Sequence, residues 1–133
     1  MTTTTASPRP LRSGGLLRPA LLLDAAVTGV NGAAYLLAAP LLDDILGLSS
    51  GLLRGVGAFL VAFAAAVWLT ARARPVNVPA VEAVIAANVL WTIGSVVAVV
   101  TGSPTTVGAV WLVLQAVVVA GFAALQLAGL RRR

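Results

Sequence analysis

Asp24, Thr28, Asn31 and Tyr35 stand at i, i+4, i+7 and i+11, a spacing that on a helix makes one polar stripe. They interrupt LLLDAAVTGVNGAAYLLAAP, residues 21–40, an apolar run long enough to cross a bilayer. Asn88, Thr92 and Ser95 form a second, shorter stripe, and Trp111, Gln115, Phe122 and Gln126 a third. In an apolar medium such groups must face protein or water, because an unpartnered polar group is costly. The chemistry open to them is hydrogen bonding, either between helices or to a small molecule. The chain has neither Cys nor His, which excludes disulfides and thiolate metal sites and removes the commonest general base and metal ligand. No catalytic residue, metal site or cofactor is expected.

Depth separates these residues. At about 1.5 Å per residue, Asp24 lies about 7 Å inside the expected start of the first helix. Asn31 lies about 18 Å in, near the middle of a core about 30 Å thick. The same count places Asn88 and Gln115 each about 13 Å from a helix end. Asn31, Asn88 and Gln115 are therefore expected to converge at the midplane, with Thr28, Tyr35 and Thr92 beside them, as a polar seam or ligand-binding group. The alternative is interhelical hydrogen bonding, worth about 0.6 to 2 kcal/mol per bond in a membrane.

Asp24 and Glu82 are the candidate cytoplasmic-side carboxylates. Asp24 is expected to pair with Arg18 or with the arginines ending the second and fourth helices, or else to bind an ion or partner. An Asp at a helix centre costs about 2.5 to 3.5 kcal/mol on insertion and each Leu or Val returns about 0.3 to 0.6, so the first helix inserts with little margin. Glu82 falls near the first turn of its helix, where a negative charge complements the helix dipole.

The elements that position these groups follow from hydropathy. Of 133 residues, 59% are hydrophobic and 10% charged, against about 25% charged in an average soluble domain. Four apolar segments, at about residues 19–39, 51–72, 79–100 and 106–130, each have the length of a spanning helix. Pro19 opens the first and Pro40 stops it, Ser50 caps the second, and Pro79 opens the third. The expected fold is all-α: an up-down-up-down bundle of four transmembrane helices forming one domain over residues 17–130. Residues 1–16, rich in Thr, Pro and Gly, read as a disordered cytoplasmic tail, and residues 131–133 as a basic C-terminus. Asp24 and the length of the first run argue against a cleaved signal peptide.

Every basic residue is arginine. Arg9, Arg12 and Arg18 precede the first helix, Arg72 and Arg74 separate the second from the third, and Arg131, Arg132 and Arg133 end the chain, leaving only Arg54 on the other side. The positive-inside rule then puts both termini in the cytoplasm. No arginine run is interleaved with aromatics, so nucleic acid is not an expected partner. Arg54 is expected to snorkel towards Asp43 and Asp44. Trp68 and Trp111 suit interfacial belts, and LLDDILGLSS an interfacial turn with Leu41, Leu42, Ile45 and Leu48 on one side.

Small residues make ridges: Gly51, Gly55, Ala58, Ala62 and Ala66; Ala25, Gly29 and Ala33; Ala116, Ala120 and Ala124. Such ridges let helix backbones approach, within a chain or between chains. AVTGVNG (residues 26–32) also aligns with AVIAANV (residues 83–89), and VGAF (residues 56–59) with VGAV (residues 107–110), so a tandem two-helix duplication is weighed.

With its Arg-only basic set, its Ala/Val/Leu/Gly bias and segments such as NGAAYLLAAP and VWLVLQAVVVAGFAALQ, the chain resembles the small uncharacterised four-helix integral membrane proteins of high-GC actinobacteria. The resemblance covers about residues 17–130 and implies a bacterial cytoplasmic membrane but no activity. The leading functional expectation is a non-enzymatic helix-packing module whose partners are the bilayer and either further copies of itself or a larger membrane complex. The second is a small channel or carrier using the midplane seam.

Overall fold

Hydropathy and helix-stop signals divide the chain into five helices in the computed structural model, which describes residues 15–132. They are α1 (Leu17–Leu37), α2 (Ala39–Leu46), α3 (Ser50–Arg72), α4 (Val78–Thr101) and α5 (Thr106–Arg131). All but α2 are long and apolar enough to cross a membrane. The chain is thus an all-α, four-span bundle, a multi-pass membrane protein. Most of the tail expected over residues 1–16, and Arg133 of the basic C-terminus, lie outside the described residues.

Local chemistry sets the helix ends. Pro40 does not merely stop α1: it occupies the first turn of α2, where a missing N–H costs nothing. The cap of α3 is Ser49 rather than Ser50, its hydroxyl accepting from the Leu52 N–H at 3.1 Å. Asn77 and Thr105 cap α4 and α5 in the same way. Asp43 accepts from the Ser50 N–H at 3.2 Å instead of pairing with Arg54.

The long helices pack as two hairpins, α1 against α3 and α4 against α5, joined mainly where α1 meets α5. In the first hairpin the backbones nearly touch. A Cβ on Gly32 would stand 2.9 Å from the Gly57 carbonyl oxygen, and one on Gly57 would stand 2.8 Å from that of Gly32. This pair, rather than the Gly51/Gly55 ridge, brings α1 and α3 together. Among the described residues nothing beyond the helix's own backbone and the adjacent residues lies within 4 Å of a Cβ built at Gly51 or Gly55, so that ridge faces outward.

Two apolar clusters close the ends of the bundle. At the end where Leu17 meets Gly129, Leu17, Leu21, Val67, Ala71, Val81 and Val84 are buried together. At the other end, Tyr35, Ala39, Leu53 and Leu60 form a second core. There α2 lies as a bar from the first hairpin to the second. Its inward face carries buried Leu46 and half-buried Leu42, while Leu41 and Ile45 are exposed; the expected four-residue apolar side is therefore split. Gly47 turns the chain at φ 72°, where a side chain is strained. Thr105 fastens the bar to α5, its N–H donating to the Leu46 carbonyl at 3.2 Å and its hydroxyl to that of Ile45 at 2.7 Å.

The aligned positions of the weighed repeat sit in different surroundings. Asn88 is buried and Asn31 half-buried, while Gly57 packs on Gly32 and Gly108 on the Leu46 carbonyl.

Candidate functional site

Hydrogen-bonding capacity that cannot reach water must be met inside the bundle, and here it is met in two clusters. In the first, fully buried Asp24 accepts from Thr28 Oγ1 at 2.9 Å, from Asn88 Nδ2 at 2.8 Å and from Gln126 Nε2 at 2.7 Å. Asn88 Nδ2 donates its other hydrogen to Gln126 Oε1 at 3.0 Å. Residues from α1, α4 and α5 are thereby joined around one carboxylate.

The expected pairing of Asp24 with an arginine is not what forms. Arg18 turns away and donates to the Ala71 and Ala73 carbonyls at 3.1 and 2.9 Å. The end of α3 leaves such carbonyls without helical partners and presents the negative pole of its dipole, which favours a guanidinium. Arg72 lies 4.7 Å over the ring of Trp68. Every hydrogen-bond partner of Asp24 among the described residues is neutral.

The second cluster is centred on the Tyr35 hydroxyl, which accepts from Trp111 Nε1 at 2.8 Å and Gln115 Nε2 at 2.6 Å. The Trp111 indole N–H therefore points inward, to Tyr35. The two clusters are offset by 11 residues on α1 (Asp24 to Tyr35) and by 11 on α5 (Gln126 to Gln115), about 16 Å along each axis.

The expected meeting of Asn31, Asn88 and Gln115 is corrected by this register. Asn88 bonds Gln126, and Gln115, 11 residues earlier on α5, bonds Tyr35 instead, so the three amides line one cavity without bonding one another. Asn31 lies between the clusters, half-buried, and makes no side-chain hydrogen bond among the described residues. Thr92 bonds back to the Asn88 carbonyl at 2.9 Å, as a helical threonine commonly does. Glu82 is exposed and joins neither cluster.

Between the clusters the hairpins separate around a cavity of about 650 Å³. Thr28, Asn31, Tyr35, Asn88 and Gln115 supply its polar wall, and Phe59, Phe63, Trp91, Trp111 and Phe122 its aromatic one. Phe59 and Phe63 stack with ring centres 5.9 Å apart. The α2 bar covers one end through Leu42 and Leu46. α3 and α4 scarcely touch, leaving the side between them open.

Sequence reasoning placed Gln126 on a stripe but not in the site, and gave Trp91 no role. The equal 11-residue offsets on α1 and α5 were the signal for Gln126; Trp91 carried none beyond its type.

Fold and site together define a four-span membrane protein with an internal, polar-edged cavity. No family model, curated protein or solved structure matches the chain.

Proposed function

We propose that the chain is a membrane-embedded binding protein that takes one small, largely apolar molecule between its two hairpins and exchanges it with the bilayer. The cavity carries this reading. Its volume of about 650 Å³ falls within the range of about 300 to 1,000 Å³ typical of small-molecule sites. Its mainly apolar walls with a few convergent polar groups are the usual composition of such sites. Packed clusters at both ends of the bundle favour a bound occupant over a continuous pore. The gap between α3 and α4 supplies a lateral route in.

Trp91 and Trp111 line the cavity while Trp68 lies outside it, so tryptophan emission of a Trp68→Phe variant reports on the cavity. Protein in nanodiscs prepared from its native membranes is expected to release a stoichiometric small molecule on organic extraction, with a change in that emission. An extract containing only bulk phospholipid, with emission unchanged, counts against the reading.

A second reading, self-association or membership of a larger complex, is favoured by the outward ridge at Gly51 and Gly55. Open glycines on a membrane helix allow a second helix to approach closely. Gly55→Leu is expected to abolish an oligomer seen by native mass spectrometry while leaving the monomer folded. A wild-type monomer in gentle detergent defeats this reading.

For placement, we infer a bacterial cytoplasmic membrane with both termini inside, supported by the arginine distribution. The cysteine-free chain allows a direct test. Ser103→Cys, in the exposed α4–α5 connection, should react with an impermeant maleimide applied to intact cells. Labelling only after lysis reverses the orientation.

A further inference from the structure

The Asp24 cluster adjoins the cavity, and together they specify the charge of the occupant; this rests on the cavity being a ligand site. Asp24 is fully buried, and Thr28, Asn88 and Gln126 give it hydrogen bonds but no positive charge. A buried carboxylate in an apolar interior is costly without a compensating charge or proton. An ionisable group at such a place commonly marks a ligand or ion path.

The orientation of Asn88 carries this charge to the cavity wall. Asn88 is 3% exposed and sends both Nδ2 hydrogens away from the cavity, to Asp24 and Gln126, neither of which lines it. Asn88 itself does line the cavity, and its Oδ1 accepts no hydrogen bond from the described residues. With both Nδ2 hydrogens committed, Oδ1 is the side-chain atom of Asn88 left free to receive a donor or a positive charge. Thr28, the third partner of Asp24, lines the same wall.

The remaining walls suit the same charge. Phe59, Phe63, Trp91 and Trp111 line the cavity too, and aromatic rings carry negative quadrupole potential on their faces, which attracts cations. Among the described residues no second carboxylate lines the cavity, and its lining is mainly apolar, which suits an organic cation better than a hydrated inorganic ion.

We propose that the cavity binds a lipophilic organic cation, its charged centre against Asn88 Oδ1 and Thr28 and its apolar groups among the aromatic rings, with Asp24 supplying the counter-charge from behind the wall. About 16 Å separates the Asp24 and Tyr35 levels, so the charged end sits towards Asp24 and the apolar end towards the α2 bar.

The test uses the Trp68→Phe protein in nanodiscs of uncharged lipid, with partition into empty nanodiscs subtracted. The probes are tetraphenylphosphonium and two molecules of the same shape, neutral tetraphenylmethane and anionic tetraphenylborate. The cation is expected to bind about tenfold or more tighter than the neutral probe, with the anion weakest. Asp24→Asn should remove the preference while retaining neutral-probe binding. Equal binding of cation and neutral probe overturns the charge assignment and leaves the cavity reading standing. So does a preference that survives in Asp24→Asn. Failure of all three probes to bind overturns the cavity reading itself. The probe comparison on protein with Asp24 intact decides the matter even if Asp24→Asn does not fold.

Discussion

Gln126 Nε2 donates to Asp24 Oδ2 across 2.7 Å, joining residues 102 positions apart in the chain. That bond, together with the Asn88 bridge, holds α5 and α4 to α1 at one level. Gln126→Leu and Asn88→Leu are each expected to lower unfolding stability by about 1 to 3 kcal/mol, the cost of leaving buried partners unmet. Because the two share partners, the double variant should cost less than the sum. Thermal unfolding of the four proteins in one detergent measures this, and strict additivity would show that the residues act separately.

Tyr35 is the acceptor for two donors, and Tyr35→Phe strands both. A loss of about 1 to 3 kcal/mol is expected, with a shift in Trp111 emission because its indole N–H loses its partner. Stability unchanged in the Phe variant would mean that the hydroxyl is dispensable.

Gly32 and Gly57 predict a contrast with Gly51 and Gly55. Gly32→Val or Gly57→Val must push the α1 and α3 backbones apart and is expected to destabilise by about 1 to 3 kcal/mol or more. Gly51→Ala and Gly55→Ala meet open space and should stay within about 0.5 kcal/mol. Chemical unfolding in mixed micelles checks both, and equal effects at the four positions would contradict the packing described.

Arg18 bonds two carbonyls at the end of α3. Arg18→Ala should cost about 1 to 3 kcal/mol and raise hydrogen exchange in the last turn of α3. Arg18→Lys should recover only part, since an ammonium lacks the planar fork that reaches both oxygens. Full recovery by Lys would reduce the role of Arg18 to its charge.

The spans were legible because hydropathy and proline placement act locally: Pro40 follows the end of α1 by three residues and Pro79 marks the start of α4 within one. The site was less legible, because depth along a helix fixes level only after the register between helices is known. Counting from helix ends placed Asn88 and Gln115 at one level. The Asn88–Gln126 pairing, a long-range choice, put them in different hydrogen-bonded clusters. Asp24 illustrates the same limit, since Arg18 stood near in sequence but found carbonyls at the end of α3, a partner that only folding brings within reach. Gln126 could have been found from the matched offsets of Asp24 to Tyr35 and Gln115 to Gln126.

The partners of Asp24 also have an order in time. Asp24 is synthesised 64 residues before Asn88 and 102 before Gln126. During synthesis the first hairpin therefore reaches the membrane with its carboxylate bonded only to Thr28. The bar formed by α2 likewise lacks its bonds to the second hairpin until Thr105 emerges. Biogenesis of this protein is consequently concerted at its close: the last helix supplies both the bond that settles the acid and the fastening that seals the opposite end. A nascent chain halted before α5 would expose both defects to the machinery that inspects membrane proteins.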